Sequence, residues 1–224
     1  MKKLKNKNEH LIESITMLLT AFVWNELVYL GARFITGSRR HYDMTTAFDR
    51  RIPFLPWTIT IYFGCFVFWA INYYLCSKQE KDARDRFFCS DILSKTICFI
   101  IFICLPTTNI RPEITDGGIW NSLMQFLYNV DSADNLFPSI HCTVSWLCWV
   151  GIRKNKSIPL AYRYFSLIFA ILVCISTLTT RQHVIADAVS GILIAEFAYF
   201  VCAYPKMRKA YSAVISKLTG IFKK

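Results

Sequence analysis

Long apolar runs alternate with short, strongly polar segments along the chain. Six runs approach the roughly 20 residues a helix needs to cross a bilayer, at 11–30, 57–76, 87–106, 139–151, 162–179 and 183–203. The expected fold is therefore all-α: a polytopic membrane protein of six transmembrane helices, with 1–224 forming a single integral membrane domain. The first run is the least apolar, because Glu13, Asn25 and Glu26 fall within it. The fourth is short, and the pattern predicts that it begins one turn earlier or continues past Arg153. The segment MKKLKNKNEH ahead of the first run has the basic character of a signal peptide. The apolar stretch behind it is too long and lacks a small-residue cleavage site, so it reads as a retained first span.

Composition supports the membrane reading: 54% of residues are hydrophobic and 16% aromatic, too apolar for an ordinary soluble domain. The net charge of +11 would raise nucleic-acid binding in a soluble protein. Here the basic residues cluster between apolar runs, which points to membrane topology and to no nucleic-acid partner. With a cytoplasmic N-terminus, eighteen Lys and Arg fall on that side and seven on the other, leaving Lys95 inside a span. This bias predicts cytoplasmic N- and C-termini in a multi-pass protein of the plasma membrane. Five of the seven outliers lie in residues 33–51, where Arg39, Arg40, Arg50 and Arg51 either gather anionic head groups or meet phospholipid phosphates. The nine cysteines sit in or at the rim of apolar runs with no Cys-x-x-Cys pair, so they read as small buried hydrophobes.

This topology brings three polar segments to the outer side. They are LPTTNIRPEITDGG after the third run, FPSIHC at the start of the fourth, and TTRQHVIADAVSG at the start of the sixth. Arg111, His141, His183 and Asp187 thus share one depth, and ionisable groups there are costly enough to be functional candidates. His183 and Asp187 are four apart, on one face of a helix. A carboxylate on one imidazole nitrogen fixes the tautomer and makes the other nitrogen more nucleophilic. His141 is placed to protonate a leaving oxygen, and Arg111 offers a planar cation for phosphate oxygens. Each piece also has a plainer reading. His183 and Asp187 can be a local pair, Ser139 a helix cap, and Arg111 an interfacial anchor. Two histidines and a carboxylate can also hold zinc.

At these residues the sequence resembles the type 2 phosphatidic acid phosphatase superfamily, membrane lipid phosphatases related to vanadium haloperoxidases. That family shows Lys-x6-Arg-Pro, Pro-Ser-Gly-His and Ser-Arg-x5-His-x3-Asp on a six-helix membrane core. CLPTTNIRP, PSIH and STLTTRQHVIAD match in order and spacing, within a motif-bearing core of about 104–191. The resemblance implies His183 as nucleophile, Asp187 as its partner, His141 as general acid, Arg111 as a phosphate ligand, and no metal or cofactor. Cys104, Ile140 and Thr177 depart from the motifs, replacing a Lys, a Gly and an Arg. The variant motifs look closer to the branch containing inositol phosphorylceramide and sphingomyelin synthases.

With two cations missing, Arg181 is the candidate substitute, its side chain folding back over the phosphate from the helix entrance. Arg111, Arg181 and Ser139 form the expected phosphate-binding set. The expected function is hydrolysis of a lipid phosphomonoester or diphosphate at the outer membrane face through a phosphohistidine. Transfer of a head group between lipids is the alternative, and a transporter or structural membrane protein is a third. The expected partners are a lipid phosphate substrate and the bilayer.

Overall fold

The computed structural model describes residues 2–221, with side chains from residue 11 onward. Nine α-helices follow one another among the described residues: α1 (Lys2–Thr36), α2 (Ala47–Arg51), α3 (Ile59–Ser77), α4 (Lys81–Cys104), α5 (Ile119–Val130), α6 (Ile140–Ile152), α7 (Leu160–Thr179), α8 (Ile185–Val201) and α9 (Pro205–Ile221). One 3-10 turn, Pro56–Thr58, leads into α3. Two short strands, β1 (Tyr42–Asp43) and β2 (Thr107–Thr108), pair in parallel with Tyr42 opposite Thr107.

Among the described residues, four helical segments are long and apolar enough to cross a membrane: Leu11–Thr36, Pro56–Ser77, Lys81–Cys104 and Leu160–Thr179. A fifth results if α8 and α9 are taken as one span, although they meet at a bend of 92°. The protein is an all-α, multi-pass membrane protein with four to five such segments, where the apolar pattern predicts six. The difference lies in the fourth and sixth runs. α6 has only 13 residues, short of the roughly 20 that span a bilayer. It neither starts a turn early nor runs on past Arg153. That residue ends the helix with a fork to Glu196 of α8, at 2.6 and 2.9 Å.

α6 is apolar because it is central. It packs against α3, α4, α7 and α8, and nine of its residues are buried. Hydropathy alone does not separate a helix buried in protein from one buried in lipid. Small residues let the central helix come close. A Cβ at Gly191 of α8 would lie 2.6 Å from the Ser139 carbonyl oxygen, so glycine allows the start of α6 to rest directly on α8.

The polar residues of the first run are each accounted for. Glu13 pairs with buried Arg84 of α4 at 2.8 Å, while Asn25 and Glu26 line cavities between α1 and α3. Lys95 is 3% exposed and pairs with Asp91 at 3.0 Å, with Tyr73 donating to the same carboxylate. A charge at this depth persists because a partner of opposite sign stands within hydrogen-bond reach. The C-terminal segment forms α9 and packs on α1 and α4.

Candidate active site

The site forms where α7 gives way to α8. α7 ends at Thr179, α8 begins at Ile185, and the five residues between them make a tight reversal. The N–H groups of Gln182 and His183 both reach the Thr177 carbonyl at 3.0 Å. Arg181 takes a left-handed backbone with φ of 56°, an arrangement that costs a non-glycine residue about 1–2 kcal/mol. The side chain offsets that cost. Its guanidinium donates to the carbonyls of Asp49 at 2.6 Å, Arg50 at 3.4 Å, and Ile52. The structure therefore turns Arg181 toward the α2 loop and not over His183.

The α2 loop returns the contact. Thr46 and Asp49 close a capping box at the start of α2, and Asp49 Oδ1 accepts the Ile185 N–H of α8 at 2.7 Å. Burial pushes the Asp49 carboxyl up, but the N–H of Ile185 and the Thr46 hydroxyl and N–H outweigh it. The carboxyl sits below its ordinary value.

In the first turn of α8, Asp187 is 1% exposed and its Oδ2 does two jobs. It accepts His183 Nδ1–H at 3.1 Å and the Val184 N–H at 3.0 Å. With the proton held on Nδ1, Nε2 is the basic nitrogen of His183. The Asp187 carbonyl also accepts the Ser139 N–H at 3.0 Å, locking the start of α6 to the turn that carries the nucleophile candidate. Ser139 is fully buried, and its hydroxyl caps α6 by accepting the Cys142 N–H at 3.3 Å.

One turn into α6, His141 lies against an aromatic wall from α3. Its ring centre is 4.6 Å from Tyr62 and 5.5 Å from Trp69, with His183 facing it at 6.0 Å. Both histidines line a partly open cavity of about 340 Å³ between α1, α3, α5 and the segment that leads from α5 into α6. A second cavity of about 400 Å³ adjoins it, sharing Asn25, Glu26, Phe66 and Trp69; apart from Asn25, Glu26 and Lys95, its lining is aliphatic and aromatic.

Arg111 stands behind this cavity. Its guanidinium donates to the carbonyls of Asp131 and Tyr128 and, at 2.7 Å, to Gln182 Oε1. The structure thus brings together His183, Asp187 and His141, sets Arg111 one residue away through Gln182, and commits Ser139 and Arg181 to the backbone. Arg39, Arg40, Arg50 and Arg51 lie outside the cavity lining. Among the described residues, no group of three His, Cys, Asp or Glu side chains is arranged to hold a metal ion.

A family model described as the PAP2 superfamily matches residues 50–201. The chain belongs to the PAP2 superfamily. The matched stretch contains all six candidate residues, and it makes the protein a member of a phosphatase-like phosphoesterase family. α1 lies before it and α9 after it. A protein of Methanocaldococcus jannaschii, itself described as uncharacterized, is 39% identical over 69 residues. That alignment covers 31% of this chain and 26% of the relative's length. No solved structure matches the chain.

Several cavity residues carried no signal that sequence reasoning used. Tyr62, Phe66 and Trp69 were indistinguishable from lipid-facing aromatics. Asp131, Asp134 and Asn135 looked like an ordinary polar loop, and Thr107 of β2 holds that loop in place by accepting the N–H groups of Leu136 and Phe137 at 3.1 and 2.8 Å. For Asp49, the Thr-x-x-Asp spacing of a capping box was a usable sign of a helix start. Nothing in the sequence links it to α8.

Proposed function

We propose that this membrane protein cleaves a phosphate ester of a lipid through a phosphohistidine on His183, without metal or cofactor, at the outer face of the plasma membrane. The supporting observation is the His183–Asp187 pair facing His141 across a cavity that continues into an apolar one. Nε2 of His183 attacks phosphorus, and Asp187 stabilises the charge that develops on the ring. His141 protonates the departing oxygen. Arg111, acting from behind Gln182, supplies positive potential to the phosphoryl oxygens. Ser139 fixes His141 by capping its helix. The adjoining apolar cavity takes the lipid chain.

The experiment is capture of the intermediate. Brief incubation with a lipid phosphate labelled in the phosphoryl group, then denaturation in base, should leave label on the parent protein and none on His183→Ala. A His183→Ala variant that still labels and turns over would refute the reading. Transfer to a lipid alcohol is the second reading, favoured by the same apolar cavity. After the first product leaves, an acceptor chain can enter by that path. Added lipid alcohols then compete with water, and the products separate by mass.

A further inference from the structure

The walls of the histidine cavity are unusual for a phosphate site. Among the described residues, no Lys or Arg lines it, whereas Glu26, Asp131 and Asp134 do. Arg111 and Arg181 both spend donors on protein oxygens. Two acceptors on the far wall are also unmatched. Asp134 Oδ1 and Asn135 Oδ1 are buried without a donor, and Asn135 as a whole is 4% exposed. A buried acceptor without a partner costs free energy that a ligand donor would restore. The rest of the wall is aromatic: Tyr29, Tyr62, Phe63, Phe66 and Trp69.

A dianionic phosphate monoester would meet three carboxylates here with no cation on the cavity wall itself; Asp134 alone is ion-paired, its Oδ2 accepting Arg33 Nε–H at 2.8 Å from outside the lining, and Arg111 acts only from behind Gln182. A phosphodiester has one charge fewer, and a positive group on its head would be attracted by carboxylates and ring faces alike. The orphaned oxygens further ask for N–H donors, which a primary ammonium has and a trimethylammonium lacks. We infer that the substrate is a phosphodiester lipid with a primary ammonium head group, of the ethanolamine type, seated against Asp134 and Asn135. Glu26, Asn25 and Tyr29 belong to α1, which precedes the segment matched to the family.

The same walls orient the cleavage. Phe66 and Trp69 line both cavities and His141 contacts both rings, so the acid stands on the lipid side. The His183 nitrogen forms a bond to phosphorus while the bond to the lipid oxygen breaks. That oxygen leaves with the electron pair and takes the His141 proton. Water then attacks phosphorus, the nitrogen–phosphorus bond breaks, and the water's proton returns to His141. The products are a lipid alcohol and the phosphorylated head group.

This inference rests on the proposed phosphohistidine chemistry, and two measurements keep the two apart. The first is turnover of phosphatidylethanolamine, phosphatidylcholine, phosphatidylinositol and phosphatidic acid by the full chain in detergent, read by mass spectrometry. The second is calorimetric binding of glycerophosphoethanolamine, glycerophosphocholine and glycerol 3-phosphate. The ethanolamine lipid should be preferred by about tenfold, the effect expected for one charge-assisted hydrogen bond. Glu26→Gln and Asp134→Asn should each narrow its lead over phosphatidic acid; Glu26→Gln breaks no ion pair and so serves as the control against misfolding. Faster turnover of phosphatidic acid, phosphatidylinositol or phosphatidylcholine overturns the inference and leaves the phosphohistidine reading standing. If no lipid turns over but glycerophosphoethanolamine binds tightest, the chemistry fails and the head-group site stands. If it also binds no tighter than the others, both fail.

Discussion

Replacing Asp187 by Asn isolates the role of charge beside His183, the proposed nucleophile. Asp187 Oδ2 accepts from both His183 Nδ1 and the Val184 N–H. The amide oxygen of Asn can keep the Val184 bond, so the first turn of α8 remains capped. The same oxygen is then neutral, and the imidazolium formed on phosphorylation loses its counter-charge. A hydrogen bond to a charged group is worth about 1.5–3 kcal/mol, or roughly 10- to 150-fold in rate when made in the transition state. The rate of phosphoenzyme formation in Asp187→Asn, measured by rapid quench, should fall within that range while the melting temperature in detergent stays close to the parent. Asp187→Ala should lose at least as much rate and in addition about 1 kcal/mol of stability, because the Val184 N–H loses its acceptor. If Asp187→Asn forms phosphoenzyme within threefold of the parent rate, the carboxylate is structural and the reasoning fails.

His141→Ala should slow cleavage of lipid phosphates more than that of nitrophenyl phosphate, whose leaving group needs little protonation; equal losses would remove His141 as the acid. Arg181→Ala should lower the melting temperature and the rate together, since it frees three carbonyls of the α2 loop, and Arg181→Lys should recover only part of both. A large rate loss at unchanged stability would instead put the guanidinium on the phosphate. Asp49, held below its ordinary value, contributes stability that is present above its unfolded pKa and lost as pH falls through its folded pKa. Melting curves below pH 4 or so should therefore show a steeper acid loss in the parent than in Asp49→Asn, which is weaker at neutral pH; superimposable profiles would contradict this.

How much of this was legible beforehand depended on the range of the cause. The all-α membrane character followed from residue patterning alone, as did the local pairing of His183 with Asp187, which needs only one turn of helix. The spacing of Arg111, His141 and His183 identified the family although two motif cations were absent. Spans were harder. The run at 139–151 is as apolar as a membrane helix, yet its neighbours in space are α3, α4, α7 and α8. Periodicity carries no record of whether a hydrophobic face meets lipid or protein.

The placement of Arg181 shows the same limit at a single residue. Sequence spacing puts it two positions from His183, which suggested a replacement for the missing phosphate cation. What decided its direction was a left-handed backbone at 181 and a cluster of carbonyls from residues 49–52, which lie over 120 positions away. In return Asp49 caps the Ile185 N–H. The two contacts clamp both ends of the reversal that carries His183, so the guanidinium serves the proposed nucleophile by fixing its backbone. A site that uses its cations as struts, and leaves carboxylates and aromatic rings to line the cavity, is better matched to a substrate that brings its own positive charge than to one that needs it supplied.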